Sequence, residues 1–153
     1  MKLNRRKFIK RTLIALATVE AFFLLRGSVN KVDTSSGTTE LFNAGKATAF
    51  DKNKLYPFLT GQFFLKRFED GGFLAMSFKC THLGCVVNTN SKTGGFNCPC
   101  HASQFNKFGE VLSAPATRPL DYFPITIEKG ELLIDTRKPI RRSSFNKSQL
   151  TYL

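Results

Sequence analysis

The stretches C-T-H-L-G-C, residues 80–85, and C-P-C-H-A-S, residues 98–103, contain all four cysteines and both histidines of this 153-residue chain. Each stretch offers one cysteine and one histidine as ligands, and each carries one further cysteine. The candidate ligands are Cys80, His82, Cys98 and His101. Two thiolates and two imidazoles suit an asymmetric [2Fe-2S] centre, whose neutral nitrogen ligands raise the reduction potential above that of an all-cysteine cluster. The two motifs therefore predict such a centre.

A structural zinc site is the alternative use of these ligands. Zinc accepts two cysteines and two histidines, but its usual modules space like residues as C-x2-C or H-x3-H. Here each motif mixes one cysteine with one histidine and adds a thiol. The spacing therefore favours the iron-sulfur centre over zinc.

The two motifs resemble the Rieske iron-sulfur proteins of quinol:cytochrome c and quinol:plastocyanin reductases. The stretch at residues 113–116, Ser-Ala-Pro-Ala, resembles the proline-containing loop that shields the third side of the cluster in that family. The resemblance implies that one iron is bound by Cys80 and Cys98, the other by His82 and His101, and that Cys85 pairs with Cys100 in a disulfide.

The resemblance also implies a reaction. In this family the cluster accepts an electron, together with a proton, from quinol bound to a cytochrome b subunit, and passes the electron to a c-type cytochrome. An imidazole bound to ferric iron has an acidified outer N–H and can accept the quinol proton. We assign the quinol contact to His101, with His82 as the other nitrogen ligand. Leu83, Gly84 and Pro115 are expected to form an apolar docking rim, although ordinary loop packing would also explain them.

Three positions beside the ligands bear on the reduction potential. Ser103 matches the serine whose hydroxyl donates to a bridging sulfide in high-potential relatives. Phe105 stands where those relatives often have tyrosine, so one hydrogen bond to the Cys80 sulfur is missing. We therefore predict a potential below that of relatives with both groups, matched to menaquinol rather than ubiquinol. Ala102, often glycine in the family, is expected to be tolerated unless its backbone needs a positive φ.

The net charge of +12 is concentrated at the two ends of the chain. Residues 1–31 hold eight Lys/Arg and one acid, and residues 137–153 hold five Lys/Arg and no acid. Residues 32–136 carry ten of each sign, which argues against a nucleic-acid-binding groove in the folded part. The basic ends suit a targeting segment and a tail near anionic lipid or a partner. For the basic end at 137–153, which includes the predicted tail at 139–153, a solvated end is favoured over docking; its basic residues are Arg137, Lys138, Arg141, Arg142 and Lys147.

The N-terminal residues 1–29 predict an export signal that is either cleaved or retained as a membrane anchor, and the anchor is favoured. The stretch N-R-R-K-F-I-K at residues 4–10 resembles a twin-arginine signal and precedes an apolar run at 12–25. Residues 30–39 are polar and predict a flexible tether. A signal of this kind and a disulfide both indicate that the head lies on the outer face of the cytoplasmic membrane.

The rest of the chain predicts an all-β domain over residues 40–138. Short alternating segments at 62–68, 73–78, 123–127 and 131–135 are typical of strands, and Gly-containing turns separate them. The resemblance implies an antiparallel sandwich or barrel, preceded by one membrane helix, with a cluster-binding subdomain at about 79–118 inserted as two loops.

Other functions remain open from the sequence. The small iron-sulfur subunit of an exported molybdenum oxidoreductase, such as arsenite oxidase, shares the export signal, the disulfide and often a phenylalanine at the position of Phe105. A cytosolic Rieske ferredoxin normally lacks Cys85, Cys100 and a signal, so it is disfavoured. Co-purification with cytochromes b and c, or with a molybdopterin subunit, separates the first two functions.

Overall fold

The computed structural model describes residues 4, 8–10, 12 and 41–153 of the chain. The residues at 8–10 and 12 are helical, and the compact β-domain forms a separate unit at 40–153. Apart from those few positions, the predicted anchor at 1–29 and tether at 30–39 lie outside the described residues. Across the described stretches, no helix combines the length and the apolar character that crossing a bilayer requires.

The β-domain contains three antiparallel sheets. The first has the order β1-β11-β10, the second β2-β3-β4-β9 and the third β5-β6-β7-β8. The strands are β1 Phe42–Lys46, β2 Leu55–Phe58, β3 Phe63–Arg67, β4 Phe73–Ser77, β5 Asn88–Asn90, β6 Gly95–Asn97, β7 Gln104–Phe105, β8 Val111–Ser113, β9 Tyr122–Phe123, β10 Ile125–Glu128 and β11 Glu131–Ile134. Two short 3-10 turns, Ala47–Ala49 and Lys147–Gln149, complete the regular structure of 41–153.

The second sheet is the central layer and is buried on both faces. On one face Phe63 and Leu65 pack with residues of β11 in one hydrophobic cluster. On the other face Phe64 packs with Phe96 and Phe105 of the third sheet. Because both faces are covered, β3 and β4 read as nearly continuous apolar runs, FFLKR and FLAMS. The predicted all-β, antiparallel fold is confirmed.

The strands predicted from apolar alternation occur, with one difference. The segment predicted at 123–127 is two strands, because Pro124 interrupts it. Proline has no N–H to donate to a ladder. As a result β9 pairs with β4 in the second sheet, while β10 pairs with β11 in the first.

The C-terminal segment, residues 139–153, packs against the domain. Arg142 is only 7 % exposed, so the interpretation of this arginine as part of a solvated end is wrong. The ring of Phe145 stacks on Phe108 with the centroids 4.5 Å apart, and Ile140 bridges to Tyr122. Apolar side chains interspersed among the basic ones give the segment a surface to bury.

Candidate metal centre

The first motif forms a closed loop directly after β4. The amide N–H of Cys80 donates to the carbonyl of Cys85 at 2.7 Å, and the N–H of Gly84 donates back to the carbonyl of Cys80 at 2.9 Å. Gly84 has φ +79°, a left-handed conformation that glycine adopts without strain. The loop buries the Cys80 side chain, leaves His82 half-buried and exposes Leu83.

The second motif closes in the same way between β6 and β7. The N–H of Cys98 donates to the carbonyl of Ser103 at 2.8 Å, and the N–H of Ala102 donates to the carbonyl of Cys98 at 3.1 Å. Ala102 therefore occupies the position equivalent to Gly84, and its φ is +60°. Alanine is expected to be tolerated here only if the backbone does not need a positive φ. The loop does require a positive φ at Ala102, so the alanine is strained.

A disulfide joins the two motifs. Cys85 and Cys100 are covalently linked across 15 residues of sequence, as the family resemblance implies. In the described part of the chain Cys80 and Cys98 are free, and both are 3 % exposed. The sulfur of Cys98 lies within 4.8 Å of both disulfide sulfurs. The disulfide sulfurs are bonded to each other, so they offer no thiolate to a metal.

The two histidines lie together on the outer side of the buried thiols. The rings of His82 and His101 meet edge to face, with centroids 4.9 Å apart and an interplanar angle of 85°. His101 is exposed. The donor set is therefore two buried thiols, one half-buried imidazole and one exposed imidazole, held on two covalently joined loops. These donors fit a [2Fe-2S] centre with sulfur ligands on one iron and nitrogen ligands on the other.

The Cys80 thiol is tuned by its surroundings. Burial raises the pKa of Cys80, and the neighbouring Cys98 raises it further, whereas hydrogen bonds from the His82 amide and the Ser103 hydroxyl lower that pKa. A raised pKa means that the thiol keeps its proton until a metal displaces it. Metal binding at this site is therefore accompanied by proton release.

Ser103 connects the second motif to the proline-containing loop. Its side chain is fully buried, and its hydroxyl oxygen accepts the Ala116 N–H at 3.0 Å. The hydroxyl proton is left free to donate toward sulfur, consistent with its lowering of the Cys80 pKa. Phe105, two residues on, is 1 % exposed and has no hydroxyl to add a second such bond.

A further contact, which the sequence analysis missed, holds the first motif to the same loop. The hydroxyl of Thr81 donates to the carbonyl of Arg118 at 2.6 Å, and Arg118 forms an ion pair with Asp121. The sequence contains little evidence for this contact. A threonine between two ligands has no periodic or compositional feature that reveals a partner 37 residues away. Together with Ser103, Thr81 fixes the proline-containing loop against both motifs.

Comparison with known proteins agrees with this site. The Rieske [2Fe-2S] domain family matches residues 40–124, which is more than half of the chain. The chain belongs to this family. As a member it carries one Rieske-type [2Fe-2S] cluster, and the two motif loops of this Rieske domain lie within the matched region.

Individual relatives match the domain rather than a whole protein. The chain is 46 % identical over 55 residues to the cytochrome b6-f complex iron-sulfur subunit of Prochlorococcus marinus (strain MIT 9303), a match covering 36 % of this chain and 31 % of that subunit. It is 42 % identical over 62 residues to a carotenoid phi-ring synthase of Chlorobaculum tepidum, covering 40 % of this chain and 9 % of the synthase. The chain thus spans about a third or less of the length of these curated relatives.

Among solved structures, the chain resembles the cyanobacterial plasma membrane Rieske protein PetC3 from Synechocystis PCC 6803. The two are 29 % identical with a TM-score of 0.47, and the match covers 61 % of this chain and 97 % of that one.

Proposed function

We propose that this chain is the electron-transferring iron-sulfur subunit of a membrane quinol reductase, taking an electron and a proton from quinol and delivering the electron to a c-type cytochrome. The observation that carries the proposal is the pairing of two buried thiols with two more exposed imidazoles, whose rings are in contact, on loops joined by a disulfide. Such a site insulates one side of a redox centre and presents the other side to a partner.

In this proposal Cys80 and Cys98 bind one iron, and His82 and His101 bind the other. When bound, the cluster supplies a one-electron acceptor and acidifies the histidine ligands. The remaining chemistry belongs to side chains of the protein. His101, which is exposed, accepts the quinol hydroxyl proton at its outer ring nitrogen and later releases that proton.

The residues around the histidines exclude water and meet the partner. Leu83 is 70 % exposed and lies directly after His82. Together with Gly84 and Pro115 it forms the docking rim toward a cytochrome b subunit. Exposure alone assigns no role, since Leu59 is at least as exposed; the position of Leu83 beside a ligand is what supports a contact surface there.

The quinone class follows from the environment of the Cys80 sulfur. Ser103 supplies one hydrogen bond that favours the reduced state, and Phe105 supplies none. We therefore assign menaquinol, the more strongly reducing quinol class, as the donor. The disulfide and the N-terminal sequence support a head on the outer face of the cytoplasmic membrane, held by the anchor at 1–29.

The second candidate is the small iron-sulfur subunit of an exported molybdenum oxidoreductase. Phe105 favours it, because phenylalanine is common at that position in those subunits. The docking rim and ligands would be the same, and the donor would be a molybdenum centre rather than quinol. Purification of the full-length chain from its native membrane distinguishes the two, since cytochromes b and c accompany one and a molybdopterin subunit accompanies the other.

A potentiometric EPR titration tests the site itself. Membranes containing the native chain should give a rhombic reduced signal with an average g below 2, and His101→Cys should abolish or alter it. Gln104→Ala changes an exposed neighbouring side chain and should leave the signal intact. Native membranes that contain the protein and iron but show no such signal would contradict the proposed ligands.

A further inference from the structure

The C-terminal segment is attached to the central sheet at two points. Near its start Ile140 exchanges two backbone hydrogen bonds with Tyr122 of β9, at 2.7 and 3.2 Å. Near its end Thr151 exchanges two with Phe73 of β4, at 2.8 and 3.0 Å. Between these attachments the segment reaches the turn at 106–110, which joins β7 to β8 in the third sheet. It therefore contacts two layers of the domain.

Arg142 makes the buried contact of this segment. Its Nε donates to the carbonyl of Leu120 at 2.8 Å, and its Nη2 donates to the carbonyl of Phe108 at 2.6 Å. Its Nη1 donates to Oε1 of Gln149 at 2.8 Å, within the segment itself. In the described part of the chain no carboxylate forms an ion pair with Arg142. The guanidinium thus holds uncharged oxygens of two separate loops in its planar fork.

The two backbone carbonyls belong to the loops that flank the cluster site. Phe108 lies in the turn that follows the second motif and β7, and Leu120 follows the proline-containing loop. Leu120 also donates its N–H to the carbonyl of Gly109 at 2.9 Å, so the two loops meet beside the guanidinium. The junction is tight, because a Cβ on Gly109 would lie 2.8 Å from Nη2 of Arg142.

A second contact lies at Ser103, the last residue of the second motif, which β7 separates from the turn at 106–110. Its hydroxyl oxygen accepts the Ala116 N–H of the proline-containing loop, beside the Cys80 sulfur. The stretch from Ala116 to Leu120 is thus held to the second motif by Ser103 and to the turn at 106–110 by Arg142. Loss of Arg142 leaves the buried carbonyl of Leu120 and the part-buried carbonyl of Phe108 without this donor, and the two segments can then shift relative to each other.

We propose that Arg142 is a positioning residue for the iron-sulfur centre, holding the second ligand motif and the proline-containing loop in fixed relation from behind the third sheet. This inference rests on the proposed ligand set. Arg142 lies beyond the region matched by the family, which ends at residue 124.

The test compares four variants of the full-length chain in membranes. Arg142→Met removes the fork, and Arg142→Lys keeps the charge with a single nitrogen. Arg141→Gln removes one positive charge from an exposed neighbour. Tyr152→Phe removes a 3.0 Å hydrogen bond to Asp70 near the end of the segment, and so loosens its attachment without touching the turn. The readouts are the reduced EPR spectrum, the midpoint potential, iron release to a chelator and thermal unfolding.

We expect Arg142→Met to release iron at least about tenfold faster than Tyr152→Phe, with shifted g values, since supporting contacts of this kind typically change metal affinity by ~10–100-fold. Arg142→Lys should be intermediate, because one ammonium cannot reach both loops and Gln149 together. Arg141→Gln should match the native chain.

An unchanged spectrum, with iron release no faster than in Tyr152→Phe, overturns the inference. If Arg142→Met does not fold, Arg142→Lys decides by the same criterion. A native chain without the histidine-ligated signal contradicts the proposed function, and this inference falls with it. A normal native spectrum that the Arg142 variants leave unchanged contradicts this inference alone.

Discussion

At the scale of single residues, Ala102 shows how a loop shape imposes strain on a side chain. The two motif loops share one hydrogen-bond pattern, and its fifth position is left-handed in both, with glycine in one and alanine in the other. A left-handed conformation costs an L-residue roughly 1–2 kcal/mol. Part of this cost is offset because an unfolded chain with alanine has less conformational entropy to lose on folding than one with glycine.

Ala102→Gly is therefore expected to stabilise the protein by about 0.5–1 kcal/mol. Denaturant unfolding of the purified full-length chain, followed by circular dichroism, measures the change. Ala49→Gly is the matched control, an exposed alanine in a 3-10 turn without a positive φ, and it should lose stability. A destabilised Ala102→Gly would show that the methyl group contributes contacts that outweigh the backbone strain.

Phe105 is the residue expected to lower the reduction potential. It belongs to the same hydrophobic cluster as Cys80 and is 1 % exposed, so a hydroxyl on its ring would lie in the interior, and the family resemblance implies that it reaches the Cys80 sulfur. We take the new hydrogen bond to favour the reduced state by ~1 kcal/mol. For a one-electron couple a tenfold change in the equilibrium constant corresponds to about 59 mV, so the midpoint of Phe105→Tyr should rise by about 40 mV.

Potentiometric EPR measures this shift, with Phe123→Tyr as the control in the other hydrophobic cluster. That control should titrate at the native midpoint. A midpoint for Phe105→Tyr that is unchanged or lower would refute the role given to the missing hydroxyl and weaken the assignment of menaquinol.

At the scale of elements, the apolar pattern predicted β3, β4, β11 and the region of β9 and β10, and it missed β1, β2 and the short strands of the third sheet. β3, β4 and β11 are confirmed because core packing imposes an apolar pattern on them. β5 is N-T-N and largely exposed, so it carries no such pattern. Its pairing follows from the position of the neighbouring motif loops, which a local pattern does not encode.

The same distinction applies to the site. The ligand candidates were evident because cysteine and histidine occur nowhere else in the chain. The contacts that hold the loops, from Thr81 to Arg118 and from Ser103 to Ala116, join residues distant in sequence through ordinary hydroxyl groups. Arg142 was misjudged for a related reason, since its acceptors are backbone oxygens, which every sequence contains.

The disulfide is the element that ties the two motif loops covalently. A cross-link that closes a loop of about 15 residues contributes roughly 3 kcal/mol in the chain-entropy account. The double variant Cys85→Ser/Cys100→Ser is expected to lose about that much unfolding free energy and to release iron faster. Denaturant unfolding measures the loss, and native protein treated with reductant serves as the control. Equal stability with and without the bond would mean that hydrogen bonds alone fix the loops.

At the scale of the whole molecule, the side chains that stabilise the domain are different from those that the cluster loops expose. The first and second sheets bury one hydrophobic cluster, and the second and third bury another. The cluster loops extend from the second and third sheets, so the rim can expose apolar side chains without weakening either core. The excess basic charge is carried by residues 1–31 and by residues 137–153, and the latter end packs on the domain.

This separation predicts that docking can be disrupted without changing the redox centre. Leu83 is 70 % exposed beside His82, so Leu83→Asp removes no core packing but places a charge on the proposed docking rim. Desolvating that charge against an apolar partner surface costs several kcal/mol, so quinol-dependent cytochrome reduction in membranes should fall at least about tenfold. The EPR spectrum should keep its rhombic form, and the midpoint should fall only slightly, because the new carboxylate beside His82 disfavours the added electron. Leu59→Asp is the matched control, because Leu59 is 77 % exposed outside the ligand motifs, and its rate should be native. If both aspartate variants turn over at the native rate, the partner approaches the histidines from another side and the rim at Leu83 has no docking role.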